Sequence, residues 1–108
     1  MVIPSDGFEL IGIISDDTKT KVGKDFYDVY YYLYNQYKVN SKKIITLNEE
    51  FSFARNTKIV VSIDNEVIYE FLARPDEEYL KEMAEESIYA TYLYLKNLEK
   101  QSKYFTQY

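Results

Sequence analysis

Residues 24–37 read KDFYDVYYYLYNQY, and six of those fourteen residues are tyrosine. The apolar positions recur at helical spacing, so the stretch predicts a helix from about Lys19 to Lys38, with Thr18 or Thr20 accepting its first amides. At 100° per residue, Val22, Phe26, Val29, Tyr30, Leu33 and Tyr37 fall within an arc of about 100°, which is the expected core face. Tyr27, Tyr31 and Tyr34 project about 80° to 140° from Phe26 and form a second stripe beside it. One face of one helix cannot bury both stripes. Either the second packs under a neighbouring strand or loop with its hydroxyls in water, or it is a surface for another subunit. Tyrosine suits the latter because it offers a large contact area at small rotamer cost.

The chain around this helix has 108 residues, a length that supports one domain and one modest core. Residues 8–14, FELIGII, are apolar enough for a short strand, and the following SDDT has turn and cap chemistry. KIITL (43–47) and KIVVSI (58–63) are rich in β-branched residues and read as two further strands, with EVIYEFLA after them across Asp64-Asn65. A two-residue turn there would place Ile59 opposite Glu70 and Ile63 opposite Glu66. A three-residue loop through Glu66 instead aligns Ile59, Val61 and Ile63 with Val67, Tyr69 and Phe71, and the apolar pattern favours it.

From Pro75 and Asp76, read as first-turn residues, a long helix carries Leu80, Met83, Ala84, Ile88, Thr91, Leu95 and Leu98 on one face. Glu77, Glu78 and Glu82 near its start and Lys96 and Lys100 near its end match the helix dipole. Tyr89 and Leu93 point nearly opposite Ala84, so this helix also presents apolar side chains away from its core. The order β-α-β-β-β-α predicts an α+β fold, an antiparallel meander packed with two main helices. The whole of 1–108 is expected to be a single domain with flexible ends at about 1–8 and 100–108.

Composition narrows the chemistry. Without histidine or cysteine, the chain lacks the commonest general base, the commonest zinc ligand and any thiolate nucleophile. A net charge of −5 argues against a phosphate-binding surface and so against nucleic acid. No apolar run reaches the roughly 20 residues of a bilayer span, so no direct membrane insertion is expected. The start MVIPSDGFEL lacks a secretory leader's basic and apolar regions. Three acidic clusters remain as candidate acid/base or hard-metal sites: Asp16-Asp17, Asp76-Glu77-Glu78 and Glu85-Glu86. Turn and cap chemistry explains the first, a helix start the second and a solvated face the third. The three glycines do not cluster into a phosphate loop. No enzyme activity and no cofactor are expected, which leaves an interaction protein. In the loop NEEFSFARN, Phe51, Phe53 and Arg55 form a candidate contact knob.

Four stretches carry a resemblance: GKDFY (23–27), TLNE (46–49), FSFARNT (51–57) and NEVIYEFLARP (65–75). In this order and at nearly this spacing they resemble the curli assembly/transport component CsgE, over about Ile11 to Leu95. The chain departs from the better-known members in lacking tryptophan. Tyr34 stands where they have one, and Phe51 stands where a proline usually precedes the loop serine. The resemblance implies a non-enzymatic periplasmic accessory factor of curli (type VIII) secretion, with its leader removed. It also implies a homo-oligomeric ring that caps a CsgG-like outer-membrane channel, directs curlin-type amyloid subunits into it and restrains premature fibre growth. The expected oligomer or partner surface comprises Tyr27, Tyr31, Tyr34, Phe51, Phe53, Arg55, Tyr69, Tyr89 and Leu93. The competing expectation is a stand-alone periplasmic domain that binds a peptide or small ligand through its sheet and tyrosines.

Overall fold

The computed structural model describes residues 13–37 and 41–106. Strand β1 is Ile13–Asp17, helix α1 Lys21–Gln36, β2 Ile44–Phe51, β3 Thr57–Ile63, β4 Glu66–Leu72 and helix α2 Glu77–Thr106. The four strands form one sheet in the order β1-β2-β3-β4, so the expected α+β order β-α-β-β-β-α is what the chain adopts.

The sheet is mixed rather than wholly antiparallel. β2, β3 and β4 are the expected antiparallel meander, whereas β1 runs parallel to β2 with Ile14 opposite Ile45 and Asp16 opposite Leu47. The single helix between these strands returns the chain to the end where β1 began, and that connection is the one a parallel pair requires. Ser15, Asp16 and Asp17, expected in a turn, therefore belong to the strand. The apolar residues 8–12 of the expected first strand lie outside the described residues.

The β3–β4 hairpin corrects the expected register in an instructive way. The loop has two residues, Asp64 and Asn65, with φ of 50° and 72°, as the turn dipeptide favours. The apolar alignment expected of a three-residue loop is recovered by a bulge at two of its three pairs. Ile59 faces Phe71 and Val61 faces Tyr69, but Ser62 faces Val67 and Ile63 faces Glu66. The extra residue on β4 is Ile68, which packs against the core. Turn chemistry is thus satisfied together with the apolar pairing beyond the bulge, at the cost of one irregular ladder position and of Ile63 facing Glu66 next to the turn.

Alternation along the strands places Ile45, Leu47 and Glu49 of β2 on the same side as Ile59, Val61 and Ile63 of β3 and Phe71 of β4. Both helices cover this side, through Phe26, Tyr30, Leu33 and Tyr34 of α1 and Leu80, Ala84 and Ile88 of α2. On the other side Lys58 sits between Glu50 and Glu70, at 3.9 and 3.1 Å. A buried hydrogen bond of 2.8 Å joins the Tyr30 hydroxyl to the Thr91 hydroxyl, and Thr91 itself donates to the Ser87 carbonyl. This joins the helices by one polar link in an apolar contact.

The buried arc of α1 is wider than its own periodicity indicates and is shifted from it. It runs from Gly23 through Phe26, Tyr30 and Leu33 to Tyr34, because the sheet and α2 cover the helix from two directions. Tyr34 is only 2% exposed, and its ring stacks on Tyr30 with centroids 6.4 Å apart. Tyr37, expected in the core, is 61% exposed, since α1 stops at Gln36 and Tyr37 forms the C-cap with φ −89° and ψ 5°.

Helix α2 starts later and runs further than its sequence pattern indicates. Asp76 precedes it as a cap, accepting from the Tyr79 amide at 3.1 Å, and residues 101–106 continue the helix where no clear period is visible.

Candidate interaction surfaces

Two kinds of polar chemistry lie at opposite ends of the burial scale. The first surrounds Glu49, the third helix-facing position of β2 after Ile45 and Leu47. Its carboxylate is 2% exposed, and four donors reach it. Oε1 accepts from the Lys19 amide at 2.7 Å and the Thr20 amide at 2.9 Å. Oε2 accepts from the Thr20 hydroxyl at 2.6 Å and the Thr57 hydroxyl at 2.7 Å. Burial pushes this carboxyl up, but the threonine hydroxyls and the two amides outweigh that effect and hold it at about 2, below the ordinary 4.5. A carboxylate in this position also meets the positive end of the helix dipole.

Gly23 explains how the carboxylate fits. A Cβ there would overlap Glu49 Oε1 and lie 2.8 Å from the Thr18 Cβ, so the first turn of α1 approaches β2 only without a side chain. Thr20 completes the arrangement as N-cap by accepting from the Gly23 amide at 3.1 Å. The stretches GKDFY, TLNE and FSFARNT meet here through Gly23, Glu49 and Thr57. The Thr57 carbonyl then accepts from the Ala73 amide at 2.8 Å, which brings in the end of NEVIYEFLARP. The signal for this site in the sequence is a glutamate that continues the inward alternation of Ile45 and Leu47. Every carboxylate oxygen is engaged from within the chain, so this is a clamp that fixes α1 on the sheet.

The second kind is open to solvent. Tyr27 is half-buried, and burial and the Asp16 carboxylate raise its phenol above the ordinary value. Tyr31 is exposed and stacks on it, with centroids 5.8 Å apart. Tyr34 is buried, so the expected stripe reduces outside the core to Tyr27 and Tyr31. On α2, Tyr89 and Leu93 are exposed, as is Tyr92.

In the β2–β3 connection, β2 runs on to Phe51, which shortens the expected nine-residue loop. Phe51 is 80% exposed. Ala54 and Arg55 take φ of 58° and 67°, a left-handed conformation that costs a side-chain-bearing residue about 1 kcal/mol. The Ser52 amide to Asn56 carbonyl bond of 2.8 Å closes the turn, and Arg55 on it is exposed. The Phe53 side chain lies outside the described residues.

Tyr69, Glu82, Glu85, Glu86 and Tyr89 line a shallow groove between β4 and α2. The Tyr69 hydroxyl donates to Glu86 Oε1 at 2.6 Å, and burial together with this carboxylate raises the phenol well above its ordinary value. The structure therefore gathers Tyr69 and Tyr89 at one groove. It leaves Tyr31 exposed on α1 beside Tyr27, which is half-buried against the core, and Phe51 and Arg55 at the loop.

The acidic clusters behave as local structure. Asp16 accepts from the Thr18 amide and pairs with Lys24 at 3.1 Å, Asp76 caps α2, and Glu77 and Glu78 lie in its first turn. Among the described residues no group of three or more carboxylates is arranged to hold a metal ion, and no helix is long and apolar enough to cross a membrane.

The geometry is that of a small domain that buries one carboxylate clamp and several aromatic rings and leaves others, among them Tyr31, Phe51, Tyr89 and Tyr92, exposed. A family model described as curli assembly protein CsgE matches residues 10–107, nearly the whole chain. No curated protein matches the sequence.

Proposed function

The chain belongs to the CsgE family of curli assembly proteins, and from that premise we propose that it is a periplasmic adaptor of curli secretion that works by contact and not by catalysis. Curli assembly takes place outside the cytoplasm, and the family is one of accessory factors. In the proposed role several copies form a ring over the periplasmic mouth of a CsgG-like channel, receive curlin-type amyloid subunits and delay their fibre growth.

The observation that carries this reading is the family match over 10–107 on a domain whose exposed large side chains include Tyr31, Phe51, Tyr89, Tyr92 and Leu93. These rings and chains have no covering element among the described residues, and a soluble monomer gains nothing from presenting them. A ring multiplies weak contacts, because each engaged subunit raises the local concentration of the next contact. Affinity per subunit can then stay low enough for a client to be released into a channel.

Thioflavin fluorescence of a curlin subunit with and without the domain, paired with electron microscopy of domain and channel mixtures, tests the proposal. A lengthened lag and capped channels are expected. An unchanged lag with uncapped channels at excess domain would overturn the adaptor reading in favour of a stand-alone binding domain, and a cleaved client would point to an enzyme.

A further inference from the structure

The chain has two arginines, Arg55 and Arg74, and they are used differently. Arg74 lies over its own Tyr79 ring, 3.8 Å from the centroid. Arg55 stands exposed on the left-handed turn beside Phe51, and its guanidinium forms no ion pair, hydrogen bond or ring contact among the described residues. The groove of Tyr69, Glu82, Glu85, Glu86 and Tyr89 has the complementary deficit. None of its three carboxylates has a basic partner among the described residues, and Glu86 is engaged only by a tyrosine hydroxyl.

We infer that the groove between β4 and α2 receives the Phe51–Arg55 loop of a neighbouring copy of this chain. The inference rests on the ring reading above and gives it a contact. A guanidinium is the cation this groove suits: it is planar, forks onto carboxylates and stacks on tyrosine, the last of which this chain already does with Arg74 and Tyr79. The left-handed turn, closed by the Ser52–Asn56 bond, fixes the backbone that carries Arg55, which lowers the backbone part of the ordering cost of docking. Phe51 supplies the apolar contact at the rim. Charge supports association here, since chains of net charge −5 repel one another unless a cation is placed where the acids are densest. Loop and groove are different patches, so the contact is head-to-tail and repeats from copy to copy, as a closed ring requires.

Charge reversal tests this on the full chain. Arg55→Glu and the double variant Glu82→Lys/Glu85→Lys change exposed side chains outside the core, and circular dichroism confirms that each is folded. Each alone should weaken self-association at least about tenfold in sedimentation equilibrium. Mixed in equal amounts they should regain the parent assembly, because the acidic groove of one accepts the arginine loop of the other and the lysine groove accepts the glutamate loop. Both variants keeping the parent mass, or a mixture that stays dissociated while the parent assembles, would overturn the inference and leave the adaptor reading standing. A parent that is monomeric at every concentration would overturn the ring itself. If the groove variant keeps its mass but no longer delays curlin fibre growth, the groove's occupant is the client and the inference is wrong.

Discussion

Glu49 and Glu86 both accept hydrogen bonds from hydroxyl groups, yet they serve opposite ends. Glu49 is enclosed by four donors from Lys19 and Thr20, just before α1, and from Thr57 of β3, while Glu86 holds one tyrosine at the edge of an open groove. The difference lies in what surrounds each carboxylate. Buried, an anion must be fully paired or it destabilises the fold, so the chain supplies every partner itself. At the surface, water supplies the remainder, and the same group stays free to exchange water for a partner. One region of the domain is closed chemistry that positions the helices; the other is open chemistry available for contact.

The closed region should respond most strongly to substitution. Glu49→Ala leaves two part-buried amides and two hydroxyls without their acceptor, and urea denaturation should show a loss of about 3 kcal/mol. A loss below about 1 kcal/mol would mean that water replaces the carboxylate and that the region is not closed.

Gly23→Ala sharpens the same point because two effects oppose one another. Helix propensity alone favours alanine by about 1 kcal/mol, whereas the clash with Glu49 and Thr18 should make the variant less stable by about 3 kcal/mol. A stabilised variant would show that α1 sits further from β2 than the structure places it.

Acid provides a graded test without that clash. The folded pKa of Glu49, about 2, is depressed from 4.5, so its contribution is complete above pH 4.5 and is lost as pH falls towards 2. The parent should lose about 3 kcal/mol across that window from this group. In Glu49→Gln that component is absent, so the acid dependence of unfolding should be shallower. Equal slopes in the two proteins would assign the acid sensitivity to other carboxylates.

Tyr30→Phe removes only the hydroxyl shared with Thr91, which retains its bond to the Ser87 carbonyl, and should cost about 1 kcal/mol. The open region should respond least in stability and most in assembly. Tyr27→Ser with Tyr31→Ser should lower the free energy of unfolding by about 1 kcal/mol or less, while reducing the mass of any oligomer seen by light scattering. Tyr34 does not belong in that variant: burial makes Tyr34→Ser a core truncation, so lost assembly would then report a damaged fold. If the double variant unfolds, the comparison itself fails, because Tyr27 and Tyr31 would be part of the closed region.

Much of the fold is legible along the chain because its signals are local. The β-branched runs of β2 and β3, the Asp64-Asn65 dipeptide and the 3.6-residue period of Phe26, Tyr30 and Leu33 each act through their own backbone and nearest neighbours. The candidate surfaces are legible only in part. Tyr31, Tyr89 and Leu93 are exposed as their helical angles require, whereas Tyr34 shares a stripe with Tyr27 and Tyr31 by angle and is buried by elements far away in sequence.

The sequence by itself determined the element order, the absence of histidine and cysteine chemistry and, through four short stretches, the family. Tertiary structure alone decided that β1 runs parallel, that a bulge at Ile68 reconciles turn with register, and that Tyr34 goes inward while Tyr37 stays out. It also decided that Gly23, Glu49 and Thr57, widely spaced along the chain, form one clamp. The physical reason is common to all four: burial and buried hydrogen bonds depend on which surfaces meet across long sequence separations, whereas turns and periodicities depend on a few adjacent residues.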